Sequence, residues 1–192
     1  MDLFYWIIVL IGYLTAFYFL FYSFVIAISF FQQVPFVPLE KQAIKFAISL
    51  LNITKDDMFL DVGSGDGRVV RRVVRSFPYV SATGIEYNKL LNYFAKLQSV
   101  FYPNANLLSH DAYTFSYKKY NKIFIYLTSD MISKLLPKIL KDTPDDAVIV
   151  SSYFSPEYTS SKIGVTEKKY RINGKIKSFF VITKNGNRSS KR

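Results

Sequence analysis

The sequence contains no cysteine and only one histidine, His110, among its 192 residues. Thiol nucleophiles, disulfide bonds and zinc sites built from cysteine and histidine are therefore excluded. A catalytic site that needs two histidines is excluded as well. These absences remove most hydrolase mechanisms, and no metal site is predicted.

Acidic residues are few, since 14 aspartates and glutamates face 25 lysines and arginines, giving a net charge of +11. The first basic residue is Lys41, so all of the positive charge follows it. Such a balance predicts an anionic neighbour. An anionic membrane surface, nucleic acid and an acidic protein remain open at this point.

Charge is absent from residues 3–31, a run rich in phenylalanine, tyrosine, isoleucine and leucine. A helix of that length runs roughly 43 Å at 1.5 Å per residue, longer than the ~30 Å hydrocarbon core of a bilayer. Residues 1–33 are therefore predicted to form a single transmembrane anchor. The alternative is a signal peptide, which is disfavoured because a basic leading segment is missing and the apolar run is too long. Basic residues follow the span, so we expect a membrane protein with its catalytic domain on the cytoplasmic side.

Residues 34–184 alternate between strand and helix patterns, and Asn173-Gly174 is a strong hairpin signal near the end. This order predicts an α/β fold: a doubly wound, mostly parallel, seven-stranded Rossmann-like sheet with a C-terminal antiparallel hairpin. The tail, residues 185–192, is basic and predicted to be disordered. Predicted strands cover 58–62, 80–86, 106–109, 122–127, 147–153, 168–172 and 176–183, and predicted helices cover 39–51, 68–77, 89–101 and 131–140.

The helix after Gly67 is two-faced, with valines on one side and arginines on the other. The valine side is predicted to face the core. The arginine side is typical of a solvated surface or of one that lies on anionic lipid. The arginines are Arg68, Arg71, Arg72 and Arg75.

A glycine-rich segment follows the first predicted strand, at the sheet position where doubly wound folds bind ligands. Its glycines allow a tight turn and close approach of a ligand to the backbone. Amides at the start of the next helix can receive a carboxylate, and Asp61 is placed to take an ammonium. The predicted contacts in this segment are Asp61, Gly63, Ser64, Gly65, Asp66 and Gly67.

A dinucleotide-binding turn is the alternative, but it needs glycine where this sequence has Arg68. Glu86 ends the second predicted strand, where one carboxylate can accept hydrogen bonds from both hydroxyls of a ribose. Asp111 follows the third strand and can accept from an adenine amine. The order of turn, ribose acid and adenine acid predicts S-adenosyl-L-methionine as the cofactor of a methyltransferase. Ala112 and Tyr126 complete the predicted cofactor set, whereas His110 is expected to have a local loop role.

Several segments resemble the membrane-anchored seven-β-strand protein-lysine methyltransferases. That family includes the mitochondrial enzymes acting on the ATP synthase c-subunit and the adenine nucleotide translocase, and it has archaeal relatives. The resemblance implies a class I methyltransferase fold and a lysine-bearing, membrane-associated protein as substrate. The matching segments are 35–38, 61–70, 84–88, 123–126 and 147–154.

The site that binds the methyl acceptor is predicted to be lined by aromatic residues. A lysine amine must lose its proton and its hydration water before it can attack the methyl group. Phe36, Tyr126 and Phe154 are the predicted catalytic contributors, with Tyr153 beside them. RNA methylation is one alternative, although the fourth strand lacks the Asn/Asp-Pro-Pro-aromatic turn that grips a base amine. Methylation of a lipid or quinone headgroup is another, and a binding module without activity is a third.

Overall fold

A computed structural model describes residues 3–31, 37–155 and 163–184. The chain divides into two compact units, residues 1–38 and residues 39–192, which are described separately below. Phe36, the predicted boundary between residues 33 and 34, and the predicted tail lie outside the described residues, so these predictions stand untested.

The described part of the first unit forms the helix α1, which spans Leu3–Phe31. Two of its hydroxyl groups find acceptors within the helix, since Thr15 donates to Ile11 O at 2.7 Å and Ser23 donates to Phe19 O at 2.8 Å. Internal partners of this kind are what a helix in lipid requires. Residues Leu3–Phe24 are long and apolar enough to cross a membrane. A signal sequence near an amino terminus meets the same criterion, so anchoring remains a proposal.

The second unit alternates strands and helices in the predicted order. Its helices are α2 (Lys41–Leu51), α3 (Arg68–Ser76), α4 (Lys89–Gln98) and α5 (Ser129–Asp142). Its strands are β1 (Met58–Val62), β2 (Ser81–Glu86), β3 (Ala105–Ser109), β4 (Lys122–Ile125), β5 (Val148–Ser152), β6 (Gly164–Ile172) and β7 (Lys175–Thr183).

The observed bounds of β1 are the predicted ones. The observed bounds of β6 and α4 differ from the predicted ones by three residues or more. β6 begins at Gly164 rather than residue 168, because it pairs with β7 along its whole length, from Gly164↔Thr183 to Ile172↔Lys175. α4 ends at Gln98 rather than residue 101, because the chain turns there and Tyr102 N donates to Ser99 O at 2.9 Å.

The seven strands form one sheet in the order β3-β2-β1-β4-β5-β7-β6. β1 to β5 are parallel, and β7 is antiparallel to both of its neighbours. The chain leaves β1 toward β2 on one side and returns to β4 on the other, so β1 is the topological switch point. The predicted doubly wound sheet with a C-terminal hairpin is confirmed.

Each face of the sheet carries its own apolar core. α2, α3 and α4 cover one face, where the buried valines of α3 pack with Phe59, Phe124 and Phe179. The second core lies on the opposite face, where α5 packs against Leu60, Ile123 and neighbouring strand residues. The predicted inward valine face of α3 is therefore confirmed. Packing on both faces fixes the strand ends that carry the site.

Candidate functional site

The turn from Gly63 to Gly67, here called the glycine turn, joins the carboxyl end of β1 to α3. Gly63 and Ser64 both donate their amides to Ile85 O, at 3.0 and 2.9 Å, which ties the turn to β2. β2 approaches so closely that a Cβ on Gly84 would lie 2.7 Å from Ser64 Cβ. Glycine at position 84 is thus required by packing rather than by backbone conformation.

Gly67 precedes α3 with φ of +76°, a left-handed conformation that favours glycine. A side chain here would also meet Leu107 and Ala95 at 3.1 to 3.3 Å. Glycine is therefore required at position 67 for two reasons, the backbone conformation and the packing of α3 on the sheet.

Glu86 ends β2 and holds the glycine turn from the side. Its carboxylate accepts the Gly65 amide at 3.0 Å and the Asn88 amide at 2.9 Å. Burial raises the pKa of Glu86, and its backbone hydrogen bonds partly oppose that rise. An ionised carboxylate has about four lone-pair positions, so Glu86 keeps acceptor capacity beyond its backbone hydrogen bonds. The side chain is thus oriented for two further donors, as a ribose diol provides.

Asp61 lies at the end of β1 and is 2% exposed. Its Oδ2 is buried and has no hydrogen-bond partner among the described residues. Burial raises its pKa well above the ordinary value, and the nearby carboxylates of Glu86 and Asp66 raise it further. A buried carboxylate without a partner is costly. An arriving ammonium would remove that cost.

Ser64 is a second buried polar residue that indicates a ligand-binding site. Its side chain is 5% exposed, and its Oγ also has no partner within the described part of the chain. The hydroxyl lies in the glycine turn, next in the chain to Gly63 and Gly65. Two unsatisfied polar groups at one strand end fit the polar atoms of the predicted cofactor.

Asp66 has a local partner instead. Its carboxylate accepts from Arg68 Nε at 2.9 Å and from Arg68 Nη2 at 2.8 Å, and Arg71 Nη1 donates to Asp66 O. The amides of Gly67 and Arg68 are also used, since they donate to Ser64 O and to Asp66 Oδ1. The predicted contact between the start of α3 and the cofactor carboxylate therefore lacks these two donors. Arg68 and Arg71 form part of the site's frame rather than a fully solvated face.

Asp111 follows β3, as predicted, and lies in a turn. Its Oδ1 accepts the Tyr113 amide at 2.8 Å, which fixes the side chain. Ala112 is half-buried and packs against the core beneath α5. His110 is exposed, with Nδ1 3.0 Å from Asp111 O and its ring edge-on to Phe115. The local role expected for His110 agrees with these contacts.

Three rings meet beyond the ends of β4 and β5, and this group is called the aromatic cluster. Tyr126 lies 5.5 Å from Tyr153, edge to face, and 6.2 Å from Phe154. Tyr153 has φ of +69°, a left-handed conformation unusual for a tyrosine. Such conformations occur where surrounding contacts impose them, often at functional sites. The cluster brings together two of the three predicted catalytic residues; the third, Phe36, lies outside the described residues.

Two charged residues beside the cluster were not predicted. Tyr153 Oη donates to Glu40 Oε2 at 3.5 Å, and Lys177 Nζ lies 4.6 Å from the centroid of the Tyr153 ring. Burial raises the pKa of both Tyr126 and Tyr153, and the Glu40 carboxylate raises it further. Glu40 precedes α2 and Lys177 lies in β7, so no local sequence pattern links either of them to the cluster. The ring of Tyr153 thus already faces a cation.

Metal binding receives no support from the described residues. Within the ranges that the structure covers, no three side chains of histidine, aspartate or glutamate are grouped so that they could hold a metal ion.

Comparison with known proteins gives a family and a fold. The family model of the ANTKMT methyltransferase domain matches residues 61–160. A protein-lysine N-methyltransferase of Saccharolobus islandicus (strain REY15A) is 22% identical over 129 residues, which are 66% of this chain and 80% of that protein. The Homo sapiens lysine N-methyltransferase named for the c-subunit of ATP synthase is 24% identical over 133 residues, or 67% of this chain and only 56% of that enzyme.

A solved structure with a similar fold is the RNA methyltransferase from Salinibacter ruber in complex with S-adenosyl-L-homocysteine. It has a TM-score of 0.67 and 19% sequence identity, and the superposition covers 81% of this chain and 98% of that one. At this identity the likeness supports the methyltransferase fold and carries no information on the acceptor.

Proposed function

This chain belongs to the ANTKMT methyltransferase family and is an S-adenosyl-L-methionine-dependent methyltransferase, and on that premise we propose that it methylates lysine side chains of membrane-associated proteins. The observation that carries the proposal is the aromatic cluster, which lies beyond β4 and β5 and beside Glu40. The names of the archaeal and human relatives support the same acceptor.

We propose that the donor site consists of the glycine turn with Asp61, Glu86 and Asp111. Asp61 Oδ2 would receive the ammonium of the methionine moiety, because it is buried and has no partner among the described residues. Glu86 would accept the ribose hydroxyls while its bond from the Gly65 amide holds the turn. Asp111, followed by Ala112, would accept from the adenine amine. When bound, S-adenosyl-L-methionine supplies an activated methyl group on a sulfonium.

The acceptor must reach the methyl group as a neutral amine. In water at pH 7 only about one lysine in 2,500 is neutral, since its pKa is near 10.4. We propose that Tyr126, Tyr153 and Phe154 displace water from the arriving side chain, which lowers the pKa of its ammonium. The rings also stabilise a cation through their faces, as Lys177 over Tyr153 illustrates.

We propose that Glu40 attracts the acceptor lysine before its deprotonation. Its carboxylate is exposed and accepts from Tyr153 Oη, so a cation that enters the cluster passes close to a negative charge. The tyrosine hydroxyls stay protonated at neutral pH, because burial and Glu40 both raise their pKa values. Tyr126 and Tyr153 can therefore act as hydrogen-bond donors rather than as bases.

A labelling experiment tests the acceptor class. The full chain, in vesicles with radiolabelled S-adenosyl-L-methionine, is incubated separately with the protein, RNA and lipid fractions of its own cell. We expect label in protein, released as N-methyl-lysine on hydrolysis. The Glu86→Ala variant serves as the inactive control and should leave all fractions unlabelled. Label confined to RNA or to lipid would overturn the lysine proposal.

A further inference from the structure

The three helices on one face of the sheet share an unusual charge pattern. α2, α3 and α4, called the basic helix layer, carry eight lysine and arginine residues and no aspartate or glutamate. α5, on the opposite face, carries three lysines and two aspartates and forms two internal ion pairs, Lys134–Asp130 and Lys138–Asp142. Among the helices of the folded unit, the positive charge is therefore concentrated on the side of the sheet that α2, α3 and α4 cover.

Most of that charge points outward. Arg68 and Arg71 are held in the frame of the site by Asp66. The other six residues lie on the outer surface of the layer, with five of them exposed and Arg72 half-buried. They are Lys41, Lys45, Arg72, Arg75, Lys89 and Lys96.

The same layer exposes an apolar stripe. On α4 the outward residues Leu90, Tyr93 and Leu97 follow helical spacing, and Val100 and Phe101 continue the stripe in the next turn. Tyr93 is 58% exposed, Leu97 54% and Phe101 89%. The inner face of α4 is also apolar, so hydrophobicity on the outer face is not needed for the fold. A solvated helix has a polar outer face, and a contiguous exposed apolar surface indicates a binding partner.

A groove between α2 and α3 adds a third feature on this side. It has a volume of about 310 Å³ and is lined by Lys45, Ser49, Arg72 and Ser76 over Ile48 and Phe77. The Ser49 hydroxyl donates to Phe46 O at 2.7 Å, which leaves two cations and the Ser76 hydroxyl above an apolar floor, a combination that matches a phosphate group joined to a hydrocarbon chain.

We propose that the basic helix layer and its apolar stripe form a docking surface for a bilayer that contains anionic phospholipids. Lysine and arginine would contact the lipid phosphates, while Leu90, Tyr93, Leu97, Val100 and Phe101 would enter the headgroup region. Nucleic acid shares the charge preference but leaves the aliphatic side chains unexplained, since Leu97 and Val100 offer nothing to stack on or to donate. A segment apolar enough to span a bilayer also belongs to this chain.

The absence of native cysteine permits a clean test with single labels. Leu97→Cys marks α4, and Ile176→Cys, at a 63% exposed position on β7, is the matched control. Each full chain, carrying an environment-sensitive dye, is reconstituted into phosphatidylcholine vesicles with and without phosphatidylglycerol. We expect the dye at position 97 to shift to the blue and to be quenched several-fold more strongly by nitroxide lipids than the dye at 176, with anionic lipid required. Equal quenching at both positions would overturn the proposal.

Variants that reverse the charge of single lysines provide an independent test of the docking surface. Lys96→Glu on α4 should reduce quenching of the dye at position 97 several-fold, and Lys134→Glu on α5 should leave it unchanged. If RNA alone, added to the detergent-solubilised chain, shifts the dye at 97 while vesicles do not, the surface binds nucleic acid and the proposal fails. Affinity for S-adenosyl-L-homocysteine is measured in every variant and should remain constant, so the outcome does not depend on the proposed acceptor.

Discussion

The donor and acceptor regions occupy neighbouring strand ends but are constructed differently. The donor region, at the ends of β1, β2 and β3, is acidic and largely buried, and its residues follow three consecutive strands between residues 61 and 112. The acceptor region, at the ends of β4 and β5, is half-buried and aromatic, and its members come from distant parts of the chain. We infer from this difference that the donor site would be preorganised for one ligand, whereas the proposed acceptor region would determine which nucleophile approaches.

Loss of the Glu86 carboxylate should have the largest effect. In Glu86→Ala the proposed ribose contacts disappear together with the hydrogen bond from the Gly65 amide that holds the glycine turn. We expect cofactor binding to weaken by more than about 100-fold, because two hydrogen bonds to a charge are lost. Equilibrium dialysis with labelled cofactor measures the dissociation constant. Glu86→Gln, which keeps the shape, should bind better than Glu86→Ala, and wild-type affinity in either variant would contradict the assignment.

Neutralising Asp61 should lower the affinity for the cofactor but raise the stability of the ligand-free protein. Asp61→Asn removes a charge that burial, Glu86 and Asp66 all disfavour in the free protein. We expect cofactor affinity to fall about 10- to 100-fold. The ligand-free protein should gain about 1 kcal/mol, or ~2–4 °C in melting temperature. Thermal unfolding with and without S-adenosyl-L-homocysteine measures both effects, and a less stable free variant would disagree with the buried, unpartnered carboxylate.

Removing a ring from the acceptor region should alter turnover but not cofactor binding. We expect Tyr126→Ala to lower kcat/KM for the protein acceptor about 10- to 100-fold, because water enters the cluster and the amine is less well aligned. Tyr126→Phe keeps the ring and should retain most of the activity. An equal loss of cofactor affinity would place Tyr126 in the donor region, as the sequence also allowed.

The stability of the ligand-free protein and its affinity for the cofactor should change in opposite directions with pH. Burial raises the pKa values of Asp61 and Glu86, so the folded protein binds protons more tightly than the unfolded chain. The stability contribution of these groups is present at low pH and is lost as pH rises through their raised values. Cofactor affinity should change in the opposite direction, since the ammonium needs a carboxylate. Binding isotherms and melting curves between about pH 5 and 8 should show both trends in wild type, whereas Asp61→Asn should keep only the smaller pH dependence of stability that Glu86 causes.

Glu40 should have the smallest effect. Glu40→Gln removes an exposed charge near the cluster, and we expect KM for the lysine acceptor to rise about two- to fivefold with little change in kcat. Asp130→Asn, an exposed carboxylate on α5, is the matched control and should behave as wild type. An unchanged KM would remove Glu40 from the acceptor region.

The two regions also differ in how well the sequence predicted them. Asp61, Glu86 and Asp111 were predicted because each lies at or just beyond the end of a strand with a recognisable pattern, and a parallel sheet brings such strand ends together. The local partner of Asp66 was missed, since the ion pair with Arg68 depends on how the turn presents both side chains. Glu40 and Lys177 were also missed, because only the folded sheet brings them to Tyr153.

Strand bounds show the same limit. β1 is apolar apart from Asp61 and was predicted to the residue, whereas the first part of β6, Gly164 to Glu167, has no continuous apolar pattern and was missed. Its pairing with β7 defines it, and pairing partners are not visible in a single polar segment. The charge asymmetry between helix layers was also hidden, because it depends on which face of the sheet each helix covers.

The most direct test of the donor site is a matched calorimetric titration with two ligands. S-adenosyl-L-homocysteine carries the amino-acid end, and 5′-methylthioadenosine lacks it. The account predicts that Glu86→Ala weakens both ligands, whereas Asp61→Asn weakens S-adenosyl-L-homocysteine and leaves 5′-methylthioadenosine unchanged. An equal effect of Asp61→Asn on both ligands, or unchanged affinity in Glu86→Ala, would contradict the assignment of these two carboxylates.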